Sequence, residues 1–220
     1  SGEYLRANDN EQWKLCVQAY LACTYFVDAQ IGKVIDAAPK DTIVVLVSDH
    51  GYHLGEKNMV AKHSLWPESL RVPMIIRHPD FGKGKEIEQP VGLIDVFPTL
   101  CDLAGIPAPD RLEGLSVRAL IEGDDLKWKR PAILSSYSRS NHSLRSSTHH
   151  YIRFEDGSEE YYDLTKDPHA WNNLAQSAPA SELDAFRKLL PKEEAPLHPA
   201  SSDRPHNAWF RDYYKRELNR

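Results

Sequence analysis

The stretch Thr42-Ile43-Val44-Val45-Leu46-Val47-Ser48-Asp49-His50-Gly51 decides how the rest of this chain is read. Its five consecutive apolar residues, Ile43 to Val47, are β-branched at four positions, which predicts a strand buried on both faces, as in a parallel sheet. The run ends abruptly in a carboxylate, an imidazole and a glycine. Open α/β sheets bind ligands outside the carboxyl ends of their strands, so Asp49 and His50 stand where a site is expected. Neighbours on an ideal strand point to opposite faces, and a turn, which Gly51 permits by tolerating positive φ, is needed to aim both at one ion. Asp offers a hard oxygen and His a nitrogen lone pair. Two adjacent donors cannot complete a metal shell, and the same residues also fit an ordinary strand-end turn with solvated side chains. Lys62 and His63 follow in a charged loop. A cationic pair beside a metal suits an anionic substrate, and a solvated loop face is the plainer reading.

Upstream of this strand, Trp13, Val17, Tyr20, Leu21, Thr24, Val27, Ile31, Val34 and Ile35 recur at three- and four-residue steps. The period predicts an amphipathic helix over residues 11–38, closed by Pro39. Helix followed at once by strand fits a doubly wound α/β sheet. Downstream, residues 71–77 form a second apolar run in which Pro73 favours a strand start or an edge. Asp95 is expected to cap a helix over 96–103 that buries Cys101.

Residues 106–131 are rich in proline, glycine and charge and read as a surface connection. Strands are expected over 132–137, 149–154 and 159–163, the last two joined through the turn signal Asp156-Gly157, with a covering helix over 180–190. Of His149 and His150, one should face inward and one solvent. Prolines break the tail from Pro191, and Trp209, Phe210, Tyr213 and Tyr214 recur at helical spacing over 207–218.

Composition narrows the function classes. Apolar residues make up 41% of the chain, enough for a core, and the net charge is −5. No basic footprint supports nucleic-acid binding, and no apolar run is long enough to span a bilayer. The three cysteines form no Cys-x-x-Cys pair, so they signal neither a zinc site nor a disulfide framework.

Ser48-Asp49-His50-Gly51, Leu54-Gly55-Glu56, Ala61-Lys62-His63-Ser64 and Arg71-Val72-Pro73-Met74-Ile75-Ile76 together resemble the carboxyl-terminal half of the type I sulfatase family, within the alkaline phosphatase superfamily. The likeness is to its iduronate sulfatase branch and bacterial relatives. Gly92-Leu93-Ile94-Asp95-Val96-Phe97-Pro98-Thr99-Leu100 and Glu160-Tyr161-Tyr162-Asp163-Leu164 continue it in the family's order. In the family the stretch matching 106–131 leads from the large sheet domain into a smaller one, so the resemblance implies a boundary near Lys129, with residues 1–129 part of the doubly wound α/β domain and 130–220 a small antiparallel α+β carboxyl-terminal subdomain. It also implies that the helix over 11–38 packs on the sheet, with Asp28 solvated or capping.

The resemblance implies hydrolysis of a sulfate ester by a formylglycine hydrate, with a divalent metal, calcium in most of the family, offsetting the growing charge. By position, Asp49 and His50 would be metal ligands and Lys62 would hold a sulfate oxygen and the leaving oxygen. Tyr52 and His63 would line the substrate pocket, His63 also serving as a general acid. Imidazole is an unusual partner for calcium, so the metal's identity rests on the family. The family's nucleophile lies in a Cys-x-Pro-x-Arg or Ser-x-Pro-x-Arg stretch. Here Cys16 is followed by Val-Gln-Ala, Cys23 by Thr-Tyr-Phe and Cys101 by Asp-Leu-Ala. An amino-terminal half or separate chain is therefore the expected partner, and a sulfated small molecule or carbohydrate the expected substrate. A phosphate or phosphonate ester hydrolase of the same superfamily, or a binding piece without catalysis, stand as alternatives.

Overall fold

The computed structural model describes residues 10–81 and 84–195. Residues 1–9, expected as a polar loop, and the expected helix over 207–218 lie outside them. The first element, α1 (Asn10–Ala37), runs 28 residues and ends where the Ala38 N–H bonds back to the Val34 and Ile35 carbonyls. Its apolar stripe is only partly covered. Trp13, Val17, Ile31 and Ile35 are half-buried, whereas Tyr25, Phe26 and Val34 are exposed. Asp28 faces solvent.

The deciding stretch forms β1 (Val44–Val47), and its pairing corrects the expectation. The strand runs antiparallel to β4 (Met74–Arg77), with Val44 opposite Arg77 and Val47 opposite Met74. It is not buried on both faces either: Val47 is 37% and Ile75 57% exposed. The physical reason is that β4 is its only ladder neighbour among the described residues. A sheet two strands wide offers packing surface on one flank alone, and burial of a β-branched run is decided by what lies beside it. Pro73 precedes β4, where its missing donor is harmless.

Between these strands the chain makes a short ladder of β2 (His53–Leu54) and β3 (Val60–Ala61), with His53 opposite Ala61. Gly55, Lys57 and Asn58 turn it through positive φ values of 125°, 53° and 56°. The four-residue α2 (Pro67–Leu70) opens on proline at its first helical position.

Asp95 does not cap α3 (Val96–Leu103) with its side chain, as the sequence had suggested. It is fully buried and accepts from the Gly92 N–H (2.9 Å) and the Leu115 N–H (2.8 Å) while pairing with Arg130. It ties the turn before the helix to the connection after it. A buried carboxylate needs all of these partners, which is why the side chain turns away from the helix end. Cys101 is buried on α3 as expected, and α4 (Arg118–Glu122) follows.

From Ile133 the chain builds an antiparallel meander of β5 (Ile133–Ser136), β6 (His142–Arg145), β7 (His149–Arg153) and β8 (Glu159–Asp163), ordered β5-β6-β7-β8. The sequence signals missed β6, whose His-Ser-Leu-Arg composition lacks a β-branched or alternating pattern. The helix α5 (Ala180–Arg187) covers one face, where Leu183 packs with Ala132, Leu144, Tyr151 and Tyr161. The other face gathers Ile152, Tyr162, Leu164 and Ala170 around Leu65, from the loop that follows β3. Each fully buried Leu, Ile or aromatic side chain here contributes about 1.5–3 kcal/mol. His150 points inward at 1% exposure and His149 is half-exposed, stacked on Tyr161.

Lys57 adds a second clasp between the loop and this sheet. Its ammonium lies 4.8 Å from the Trp171 ring centre, 5.1 Å from Tyr162 and 5.7 Å from Trp66, and it donates to the Ala170 carbonyl. The loop carrying the candidate site is thereby fixed to the carboxyl-terminal sheet.

Candidate functional site

The chain leaves β1 at Ser48 and turns back under its own hydrogen bonds. Ser48 Oγ donates to the His50 carbonyl (2.8 Å), and the Gly51 N–H donates to the Ser69 carbonyl (2.7 Å). Glycine is required at 51, though not for the reason its turn suggested. Its φ is not in the positive range; a Cβ there would stand 2.0 Å from the Glu68 carbonyl oxygen. What the site needs is the close approach of two backbones, from the end of β1 and from α2.

His50 is oriented by its own neighbour. Its Nδ1 lies 2.8 Å from the Gly51 carbonyl oxygen, which can only accept, so Nδ1 carries the proton. The lone pair is then on Nε2, aimed outward. There it meets the Lys62 ammonium at 2.6 Å, with Asp49 Oδ2 at 3.6 Å. Three of the residues singled out from sequence thus converge on one nitrogen, and the turn does bring Asp49 and His50 to the same place.

The position of Lys62 is set by a residue that the sequence reading passed over. His53 is fully buried, with Nδ1 3.2 Å from the Glu56 carbonyl and Nε2 2.7 Å from Ser64 Oγ. Ser64 in turn contacts Ser69 Oγ at 2.9 Å, so the two flanks of the Lys62 loop and α2 share one network. Ala61, just before Lys62, adopts a φ of 142°, a conformation that L side chains rarely take. In sequence, a histidine beside an exposed tyrosine carries no sign that it will be wholly enclosed.

Tyr52 and His63 each meet another ring. The Tyr52 ring stacks on Tyr20 of α1 at 5.4 Å, and the exposed His63 lies 5.8 Å from the Tyr137 ring. Asp49, His50 and Lys62 open instead into a groove of about 2080 Å³, whose wall includes Ser69, Tyr137 and Ser136.

The donor chemistry fits part of a divalent-metal site. Second-sphere anchoring of one ring nitrogen is the usual setting of a ligating histidine, and Nδ1 has it in Gly51. Asp49 supplies an exposed carboxylate alongside. Among the described residues no third acidic, histidine or cysteine side chain joins them, so two donors are present and further ones must come from other groups.

Comparison with known proteins bears on this geometry. A family model described as Sulfatase matches residues 4–106. A sulfatase of Formosa agariphila is 38% identical over 97% of this chain and 42% of its own length. A delta 4,5-hexuronate-2-O-sulfatase of Bacteroides thetaiotaomicron is 30% identical over 83% of this chain and 41% of its own. Among solved structures, a 2-O GAG sulfatase superposes with a TM-score of 0.71 at 27% identity, covering 98% of this chain and 48% of that one. The chain spans about two fifths of the length of the curated relatives it matches.

Proposed function

This chain belongs to the sulfatase family, and from that premise we propose that it supplies the part of a sulfuric ester hydrolase that faces the metal and the leaving group, acting on a sulfated carbohydrate. The observation that carries the reading is the meeting of Asp49, His50 and Lys62 at the carboxyl end of β1, with the His50 lone pair turned toward the ammonium. The names of the relatives, a 2-O-sulfatase of a hexuronate among them, support a sulfated sugar as substrate.

A divalent ion, calcium by family habit, would bind Asp49 and His50 Nε2 and supply Lewis-acid stabilisation of the charge that grows on the sulfate oxygens. One lone pair serves one partner at a time. With Nε2 so engaged, the Lys62 ammonium keeps its protons for the substrate, where it can bond a sulfate oxygen and the oxygen that leaves. Preorganised donors of this kind act where charge develops. Gly51 and His53 hold the turn and the Lys62 loop in register, so neither flank must reorganise as charge forms. The nucleophile is assigned to the amino-terminal part of the enzyme, because the sequence contexts of Cys16, Cys23 and Cys101 do not match the family's.

The reading is tested on the assembled enzyme. Lys62→Ala should lower kcat on a sulfate ester by about 10²–10³-fold, the usual loss for one such donor. Unchanged kcat overturns the role of Lys62. Parallel assays with matched phosphate and phosphonate esters decide the reaction class: faster turnover of either replaces the sulfatase reading.

A further inference from the structure

A serine, a histidine and a carboxylate line up on the carboxyl-terminal sheet in a chain of contacts that the sulfate chemistry does not use. Ser136 ends β5 and His142 opens β6, directly opposite each other in the ladder, so their side chains share a face. Ser136 Oγ lies 2.8 Å from His142 Nδ1, and His142 Nε2 lies 2.8 Å from Glu194 Oε1. Glu194 follows α5 and is held by Ser140, whose N–H and Oγ each donate to it at 3.0 Å, with Arg139 Nε 3.8 Å away. The Ser140 N–H, then its hydroxyl and His142, keep the Glu194 carboxyl below its ordinary pKa, against partial burial.

A carboxylate can only accept, so the proton of the neutral His142 ring sits on Nε2 and the lone pair on Nδ1 faces Ser136. The serine hydroxyl donates to that lone pair. Ser136 is exposed and lines the groove, whereas His142 is only 6% exposed, so the base is sheltered and the oxygen is within reach. Two other serine–histidine contacts each lack a part. The histidine bonded to Ser64 turns its second nitrogen to the Glu56 carbonyl, and Ser143 and His150 are both buried at 1% exposure. A nucleophile within hydrogen-bond reach of a base that a third group orients is the arrangement that activates serine, recognised by roles rather than by order along the chain.

We propose that Ser136, His142 and Glu194 form a second catalytic site, a serine nucleophile with its base and positioning carboxylate, which hydrolyses carboxylic esters. Ser136 Oγ bonds to the ester carbonyl carbon as His142 Nδ1 takes its proton, and the carbonyl electron pair moves onto oxygen. That pair returns as the carbon–oxygen bond to the alcohol breaks, and His142 gives its proton to the departing oxygen. Water attacks the acyl-serine by the same route, releasing the acid and restoring the hydroxyl. Glu194 faces the imidazolium charge and stays ionised throughout. A carboxylic ester is the acyl substrate that asks least of such a site, because an alkoxide leaves more readily than an amine anion. The assignment shares no residue with the sulfatase reading and stands or falls apart from it.

The test uses the assembled enzyme. Diisopropyl fluorophosphate should phosphorylate Ser136 with loss of fluoride, read by mass spectrometry of the digested chain. Turnover of 4-nitrophenyl acetate should fall by about 10²-fold in Ser136→Ala, a substitution at an exposed position that leaves the fold intact. Glu194→Gln, which keeps the shape and removes the charge, should slow the labelling by about tenfold or more, and the turnover by as much through kcat with KM unmoved. A carboxylate that only pins the residues after α5 would instead lower the thermal midpoint and leave kcat where it was, and that result overturns the proposal. So does a Ser136 that takes no label, a label formed as fast in Glu194→Gln as in the parent, or acetate turnover unaltered by Ser136→Ala.

Discussion

A methyl group on residue 51 has nowhere to go. With the Glu68 carbonyl oxygen 2.0 Å from the ideal Cβ position, Gly51→Ala must push α2 away from the end of β1 and break the Gly51–Ser69 hydrogen bond. The expected cost is about 1–3 kcal/mol, read as a lower thermal midpoint, together with loss of activity in the assembled enzyme because His50 and α2 part company. Asp49 makes a different prediction. It is an exposed carboxylate with nothing to hold structurally, so Asp49→Asn should leave the thermal midpoint unmoved. After chelation and titration back with Ca2+, the same variant should need about tenfold more ion for half-restored activity, since ligand charge sets calcium affinity. At this scale the sequence was informative about residue types and poor at reasons. Asp49 and His50 stood out in the sequence by their place at a strand end, and Lys62 by its charged loop and the family resemblance. The geometric demand on Gly51 and the enclosure of His53 depend on what α2 does many residues later, which no local signal announces.

Elements of the chain are held by a few buried charges as much as by apolar contact. Asp95 anchors the turn before α3, and removing one partner of a buried ion pair strands the other. Asp95→Ala should therefore destabilise by about 3–5 kcal/mol, measured by denaturant unfolding. On the carboxyl-terminal sheet, Glu159 is held at about 2, chiefly by hydrogen bonds from Arg187 and also from Tyr151 and Arg153, against an ordinary value of 4.5. A carboxylate whose pKa is depressed in the folded state stabilises above its unfolded pKa. That contribution is complete at neutral pH and is lost as the pH falls from 4.5 toward about 2. Glu159→Gln should flatten this acid limb of the stability profile and leave the remainder parallel. The helix α1, the β7–β8 hairpin and α5 were legible because period, an Asp-Gly turn and helix length are local properties. The strand β6 was not, because its ladder position is supplied by β5 and β7 on either side.

Over the whole molecule the uncovered apolar surface is the main unmet demand. Tyr25 at 80%, Phe26 at 63% and Val34 at 70% exposure leave the outer stripe of α1 open, and β1 has an edge without a partner among the described residues. Patches of this kind mark contact surfaces. The chain by itself should self-associate in sedimentation velocity, and Tyr25→Glu with Phe26→Glu should shift it toward monomer. The parallel, doubly covered strand read from the deciding stretch failed here for the same reason. Periodicity reports that a surface wants cover, and only the assembled neighbours say whether it has it.

The clasp at Lys57 has a practical consequence. An ammonium set among the Trp66, Trp171 and Tyr162 rings, and anchored on the Ala170 carbonyl, places a fixed positive charge beside two indoles. Indole emission responds to nearby charge, so these two tryptophans form a built-in optical gauge of the distance between the site loop and the carboxyl-terminal sheet. Fluorescence on ligand addition would then register any shift of that loop without a label.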